Sequence, residues 1–227
     1  KGGALLAVPI SSACAVAGIV VGVIGQTGIG LQFTESVVSL SSGYLWLALI
    51  LVAIAALVLG MGLPATASYI VLSVMTGPAL QELGLALITA HMIIFWLAQT
   101  SNVTPPIALA AFAGAGVAGA PPMKTAVEAF KLSNGLFVIP LLMAYTPLLF
   151  VDELEWFDVA GAAAGGFVLI IMLAVFLERF AFCRLNRLEL VSVPVCIMLI
   201  IFPASYTKLL GAALAFGLML LNWKRAT

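Results

Sequence analysis

Charge is what this sequence has least of. Nine basic and nine acidic residues among 227 make a charged fraction of 8%, with no net charge and a single histidine, His91. Globular proteins carry about 25% charged residues, so a chain that is 64% hydrophobic has too little polar surface to dissolve in water. The balance of signs leaves no basic field for nucleic acid, and no nucleic-acid partner is expected. Cys14, Cys183 and Cys196 lack metal-ligand or CxxC spacing and read as small apolar side chains. One histidine excludes HExxH chemistry, and no carboxylate lies inside an apolar run to make a nucleophile–base pair. No catalytic residue or transition-metal site is therefore assigned, and the chain is not read as an enzyme. A cytosolic enzyme, a nucleic-acid module and a secreted disulfide scaffold fall together, because the solvent of this chain is lipid.

What the sequence does have is long apolar runs. Between Lys1 and Lys124 the ionised side chains are Glu35 and Glu82. A bilayer core is about 30 Å thick and takes ~20 helical residues to cross. Backbone groups in hydrocarbon must bond internally, so spanning segments are helices or closed barrels. These runs do not alternate, which excludes a barrel. The fold class is an all-α polytopic membrane protein. The chain opens Lys-Gly-Gly without a signal-peptide pattern and reads as a piece of something longer.

The spacing predicts a first helix over 5–24, with Gly18 and Gly22 in GxxxG spacing, then a linker and an interfacial amphipathic helix over 26–40. A strong run over 44–60 stops at Met61-Gly62-Leu63-Pro64; another, 65–75, is ended by Thr76-Gly77-Pro78. The run 85–98 meets a polar stretch, 99–106, before 107–113 resumes. A short amphipathic helix over 123–132 precedes 135–150, an acidic loop at 152–158 with Trp156 as interfacial anchor, a span over 159–177, and a short pair, 191–203 and 209–223. The positive-inside rule puts Lys124 and Lys131, the Arg179/Arg184/Arg187 loop and the C-terminal Lys224-Arg225 in the cytoplasm, with the acidic loop outside. Gly114 to Gly119 matches GxGxxG but follows a helical hairpin without the strand and acidic residue of a dinucleotide site, and is not read as one. His91 is expected to hydrogen-bond inside the bundle, with proton coupling the other reading.

Two breaks carry the chemistry. Gly62 can end a helix at positive φ, Pro64 suits the start of the next, and Thr66 falls in its first turn. At the second break Thr104 is expected as N-cap and Pro105 as N1 of a new helix, with Ser101, Asn102 and Thr104 crowding neutral oxygens into one loop. Paired interruptions of this kind point to the substrate and ion site of a secondary transporter. Helix-end carbonyls near 99–102 would take Na⁺, and the positive helix end at Pro105 would face a carboxylate. The alternative is a proline-kinked helix whose hydroxyls bond back to their own backbone.

The segments GMGLPATASYIVLSVMTGPAL (60–80) and TSNVTPPIALAAFAGAGVAGAPPMKTAVEAFKL (100–132) resemble the large membrane subunit of tripartite ATP-independent periplasmic (TRAP) transporters, in particular the fused permeases that serve the TAXI type of binding protein. The resemblance covers about 5–150, and its most specific part is the loop SNVTPP. It implies the second inverted repeat of an elevator-type transporter over 1–150, with a discontinuous helix over 44–75 and a re-entrant helical hairpin over 85–120. Residues 151–227 resemble, more loosely, the extra C-terminal transmembrane helices of such permeases.

The implied function is sodium-coupled import of organic anions delivered by a periplasmic substrate-binding protein, across a bacterial inner membrane. The implied partners are that binding protein, the N-terminal half of the parent permease and helices like those of a small subunit. Carried over by the resemblance, Gly60, Gly62, Thr66, Ser101 and Thr104 are sodium-binding, Pro105 marks the hairpin tip, and Thr66 and Asn102 contact substrate. Pro64-Ala65-Thr66 stands where dicarboxylate-type relatives often carry an acidic residue, so their specificity does not transfer. A passive channel, or a structural subunit without its own site, is the other function this composition allows.

Overall fold

The computed structural model describes residues 2–146, 149, 156–201 and 205–226, and every described element is a helix except for one isolated bridge. Two units divide the chain at 144/145. The first holds α1 (Gly2–Thr27), α2 (Ile29–Leu40), α3 (Leu45–Gly60), α4 (Ala65–Glu82), α5 (Leu87–Thr100), α6 (Leu109–Ala118), α7 (Pro122–Leu132) and α8 (Gly135–Tyr145), whose last residue falls in the second unit. The second unit holds α9 (Trp156–Glu178), α10 (Arg187–Ile201) and α11 (Ser205–Ala226). Among the described residues, Pro122–Tyr145 and Val159–Glu178 are long and apolar enough to cross a membrane. The all-α polytopic class is the one observed. The acidic loop at 152–155 and Pro203 lie outside the described residues.

In the first unit α4 is the hub, packed against α1, α2, α3 and α5. The reason is side-chain size at helical spacing. On α3, Ala48, Val52, Ala56 and Gly60 recur every fourth residue and are all buried, so this stripe brings α3 close to α4. Ala67, Val71 and Met75 of α4 meet Ala17 and Ile24 of α1, with Phe33 of α2 and Leu59 of α3 closing the cluster. Gly18 and Gly22 have open space where a Cβ would go, so α1 packs through Ala17 and Ile24 and not through its GxxxG pair.

Two boundaries and one side chain differ from expectation. Residues 26–40 hold the expected short amphipathic helix but no linker, since α1 runs to Thr27. α1 bends by 75° at Gly28 into α2, which buries Thr34 and Val37 as it packs on α4 and α3. Thr76-Gly77-Pro78 does not end α4, which runs on to Glu82. Thr76 Oγ1 donates to the Leu72 carbonyl at 2.8 Å, and Pro78 costs the helix one bond, at the Val74 carbonyl, over which Gly30 of α2 packs. Cys183 is not a buried hydrophobe. It is half-buried in a loop and donates to the Asn222 carbonyl at 3.6 Å, while Cys196 is buried among Met172, Val193 and Ala215. In the same unit α10 and α11 close at Gly211, where a Cβ would fall 2.8 Å from Ile200 Cγ1.

Candidate functional site

Both interruptions are present, and they meet. α3 ends at Gly60; Gly62 takes φ +78°, and Pro64, at ψ 151°, starts α4. The Leu63 N–H folds back onto the Gly60 carbonyl at 3.2 Å, and Ser68 N–H closes the first turn of α4 on the Pro64 carbonyl at 2.9 Å. α5 ends at Thr100 with Ser101 as its C-cap. A Cβ on Gly60 would lie 2.7 Å from Ser101 Oγ and 2.8 Å from Ser68 Oγ, so the glycine is the place where α3, α4 and α5 converge. The missing side chain is what lets them do so.

The electrostatics follow from the helix ends. α3 and α5 both deliver their C-termini here, each with roughly half a negative charge, against the one positive N-terminus of α4 in whose first turn Ser68 lies, so the balance of the three ends is negative. Ser68 and Ser101 are buried, and Ser68 Oγ has no hydrogen-bond partner within the structure. An unpartnered buried hydroxyl beside two negative dipole ends is suited to a cation with a hard oxygen preference. No ionised side chain occurs between Glu35 and Lys124 other than Glu82, so no fixed charge competes.

The second break is built differently from expectation. Thr104 is not an N-cap and Pro105 is not N1, because α6 starts at Leu109 with Ala108 as N-cap. A residue before proline avoids the helical region, and Pro105 itself precedes Pro106, so the pair delays the helix. The Pro105-Pro106 bond is cis. Residues 101–108 form a knot of turns. Thr104 N–H and Thr104 Oγ1 both go to the Thr100 carbonyl, at 3.0 and 2.6 Å, and Ala110 N–H reaches the Asn102 carbonyl at 3.1 Å. The positive helix end expected at Pro105 is therefore displaced to Leu109. α6 also leaves α5 and packs on α7 around Ala108, Ala111 and Ala126, so the two arms joined by the tip diverge.

Of the residues singled out from sequence, Gly60 and Ser101 are in contact. Gly62 and Thr66 are exposed at the start of α4, and Asn102, Thr104 and Pro105 are half-buried on the tip. Ser101 Oγ donates to the Ala98 carbonyl at 3.1 Å, and Gln99 Nε2 to the Phe95 carbonyl at 3.3 Å, so the alternative of hydroxyls and amides turned back to the backbone is realised in part. A donating hydroxyl keeps its lone pairs, so this geometry leaves Ser101 and Thr104 able to face a cation. Ser68 was missed from sequence. A serine four residues after a helix-starting proline was the available signal, but only packing makes it an orphan. His91, as expected, bonds within the bundle, to Tyr69 Oη at 2.9 Å.

The family model described as Tripartite ATP-independent periplasmic transporter, DctM component, matches residues 2–149. Comparison with curated proteins and with solved structures gives no match. With the interrupted helix and the tip loop both inside a match that spans well over half of its length, the chain belongs to the DctM component family of TRAP transporters.

Proposed function

We propose that this chain supplies half of a sodium-coupled transport site for organic anions. As a DctM component it is part of a substrate-uptake system of the inner membrane that works with a periplasmic binding protein and a small subunit. The finer reading is this article's own. Na⁺ sits among Gly60, Ser68 and Ser101, with Thr104 at its rim, and Gly62 and Pro105 shape the two chain reversals. The substrate carboxylate lies beside Thr66, in the positive first turn of α4, and Asn102. The observation that carries it is the unpartnered Ser68 hydroxyl at the meeting of two helix C-termini.

In this scheme the substrate arrives on a TAXI-type binding protein, and the other half of the site comes from a further repeat of the permease. Each net positive charge moved inward across ~100 mV contributes about 2.3 kcal/mol, so more than one Na⁺ per anion supports uphill import.

Ser68→Ala in the intact transporter separates this reading from a structural one by sign. Removing an orphaned hydroxyl relieves a desolvation cost of roughly 1–3 kcal/mol, so thermal stability without Na⁺ rises. The stabilisation that Na⁺ adds to the wild type, and Na⁺-driven uptake in proteoliposomes, fall together. Uptake by the wild type that is unchanged when choline replaces Na⁺ overturns the coupling.

A further inference from the structure

The loop between α9 and α10 is folded as firmly as a helix cap. Arg179 turns the chain at φ +52°, Phe180 and Arg184 form an isolated antiparallel bridge, and Leu185 N–H returns to the Arg179 carbonyl at 3.1 Å. Its centre is held by Asn222 of α11, which is 1% exposed. Asn222 Oδ1 accepts the N–H groups of both Phe182 and Cys183 at 3.0 Å, and its Nδ2 donates to Glu189 Oε2 at 3.3 Å. The same carboxylate oxygen accepts Asn186 N–H at 2.8 Å and Arg225 Nη2 at 2.9 Å, and Arg225 also donates to the Arg184 carbonyl at 2.9 Å.

What this frame displays is at odds with a loop meant only to connect. Phe180 and Phe182 are each 51% exposed and Trp223 is 50% exposed. Arg179, Arg184 and Arg187 are exposed and make no ion pair among the described residues, because Glu189 is taken by Arg225. Around the loop and the end of α11 five basic residues stand against two acidic ones, Glu178 and Glu189. The candidate span Val159–Glu178 ends at the residue before Arg179, which sets the loop at the boundary between hydrocarbon and water.

We propose that this loop is a binding platform for anionic phospholipid headgroups, which anchors the C-terminal unit at its membrane surface. Guanidinium groups match phosphate oxygens in a fork geometry. Half-exposed phenylalanines insert at the level where headgroup meets acyl chain. The Asn222–Glu189–Arg225 frame fixes the backbone that carries both kinds of side chain before lipid arrives, so only side-chain ordering remains.

The test is the association of spin-labelled phosphatidylglycerol, against spin-labelled phosphatidylcholine, with the intact transporter in phosphatidylcholine vesicles. The wild type favours phosphatidylglycerol, and the preference weakens as NaCl rises. The combined R179Q, R184Q and R187Q variant loses it, at roughly fivefold per arginine, and the corresponding triple lysine variant keeps most of it. Equal preference in the glutamine variant, or a wild-type preference indifferent to salt, overturns the proposal. Loss of phosphatidylglycerol to low concentrations of inorganic phosphate also overturns it, in favour of a site for the free ion. The salt series needs no substitution, so an indifferent preference overturns the proposal even if the triple variant does not fold.

Discussion

Tyr69 Oη and His91 Nδ1 lie 2.9 Å apart, tying α4 to α5. The tyrosine ring also meets Phe95 edge-on at a centroid distance of 5.9 Å, so Tyr69 lies along two successive turns of α5. Tyr69→Phe removes the hydrogen bond and keeps the ring contacts. A bond of this kind is worth about 1 kcal/mol. A small drop in the unfolding midpoint is expected, with Na⁺ dependence intact. A variant that unfolds normally but has lost Na⁺ dependence would assign this pair to the ion site itself.

Gly60→Ala is the sharper change. The new methyl group falls within 3.0 Å of atoms from both Ser68 and Ser101, whose helices both end or begin at this point. Overpacking a tight junction costs about 1–3 kcal/mol, and here the strain falls on the proposed cation oxygens. The Na⁺ concentration for half-maximal uptake should rise by roughly tenfold or more, with less effect on the amount of folded transporter. Unaltered Na⁺ dependence in a folded G60A protein would move the ion elsewhere.

The first break was legible because its causes are local. Glycine at positive φ and proline at a helix start are restrictions of single residues, and Gly62 and Pro64 obey them. The second break was located correctly, but its exit was misread. Pro105 by itself suits N1, but Pro106 disfavours a helical conformation at the residue before it, and the helix starts only at Leu109. α2 was legible as a short amphipathic helix, but its bend from α1 and its packing on α4 and α3 depend on contacts distant in sequence. Ser68 lay beyond sequence altogether, since its isolation depends on which atoms α3 and α5 bring to it.

In the second unit, Asn222→Leu tests whether the α9–α10 loop is held by α11. The substitution preserves bulk but leaves the Phe182 and Cys183 N–H groups and Glu189 without that partner. A stranded donor costs about 1–3 kcal/mol when fully buried, and less for these partly buried ones. Hydrogen exchange should accelerate across 180–186 and leave the first-unit helices unchanged. Protection of those amides equal to wild type would show that the bridge between Phe180 and Arg184 suffices.

Asn102→Ala separates substrate from ion at the tip. The Asn102 carbonyl holds Ala110 N–H at 3.1 Å through the backbone, so truncating the side chain leaves this turn closed. The side-chain amide makes no hydrogen bond among the described residues and is half-buried on the loop that carries Ser101. If it recognises the carboxylate, the KM for the organic anion should rise by roughly tenfold, the value of one hydrogen bond to a charged group. The Na⁺ requirement, proposed to rest on Gly60, Ser68 and Ser101, should change far less. Equal weakening of both would place ion and substrate on shared atoms, whereas a shift in Na⁺ requirement alone would remove Asn102 from the anion and assign its amide oxygen to the cation.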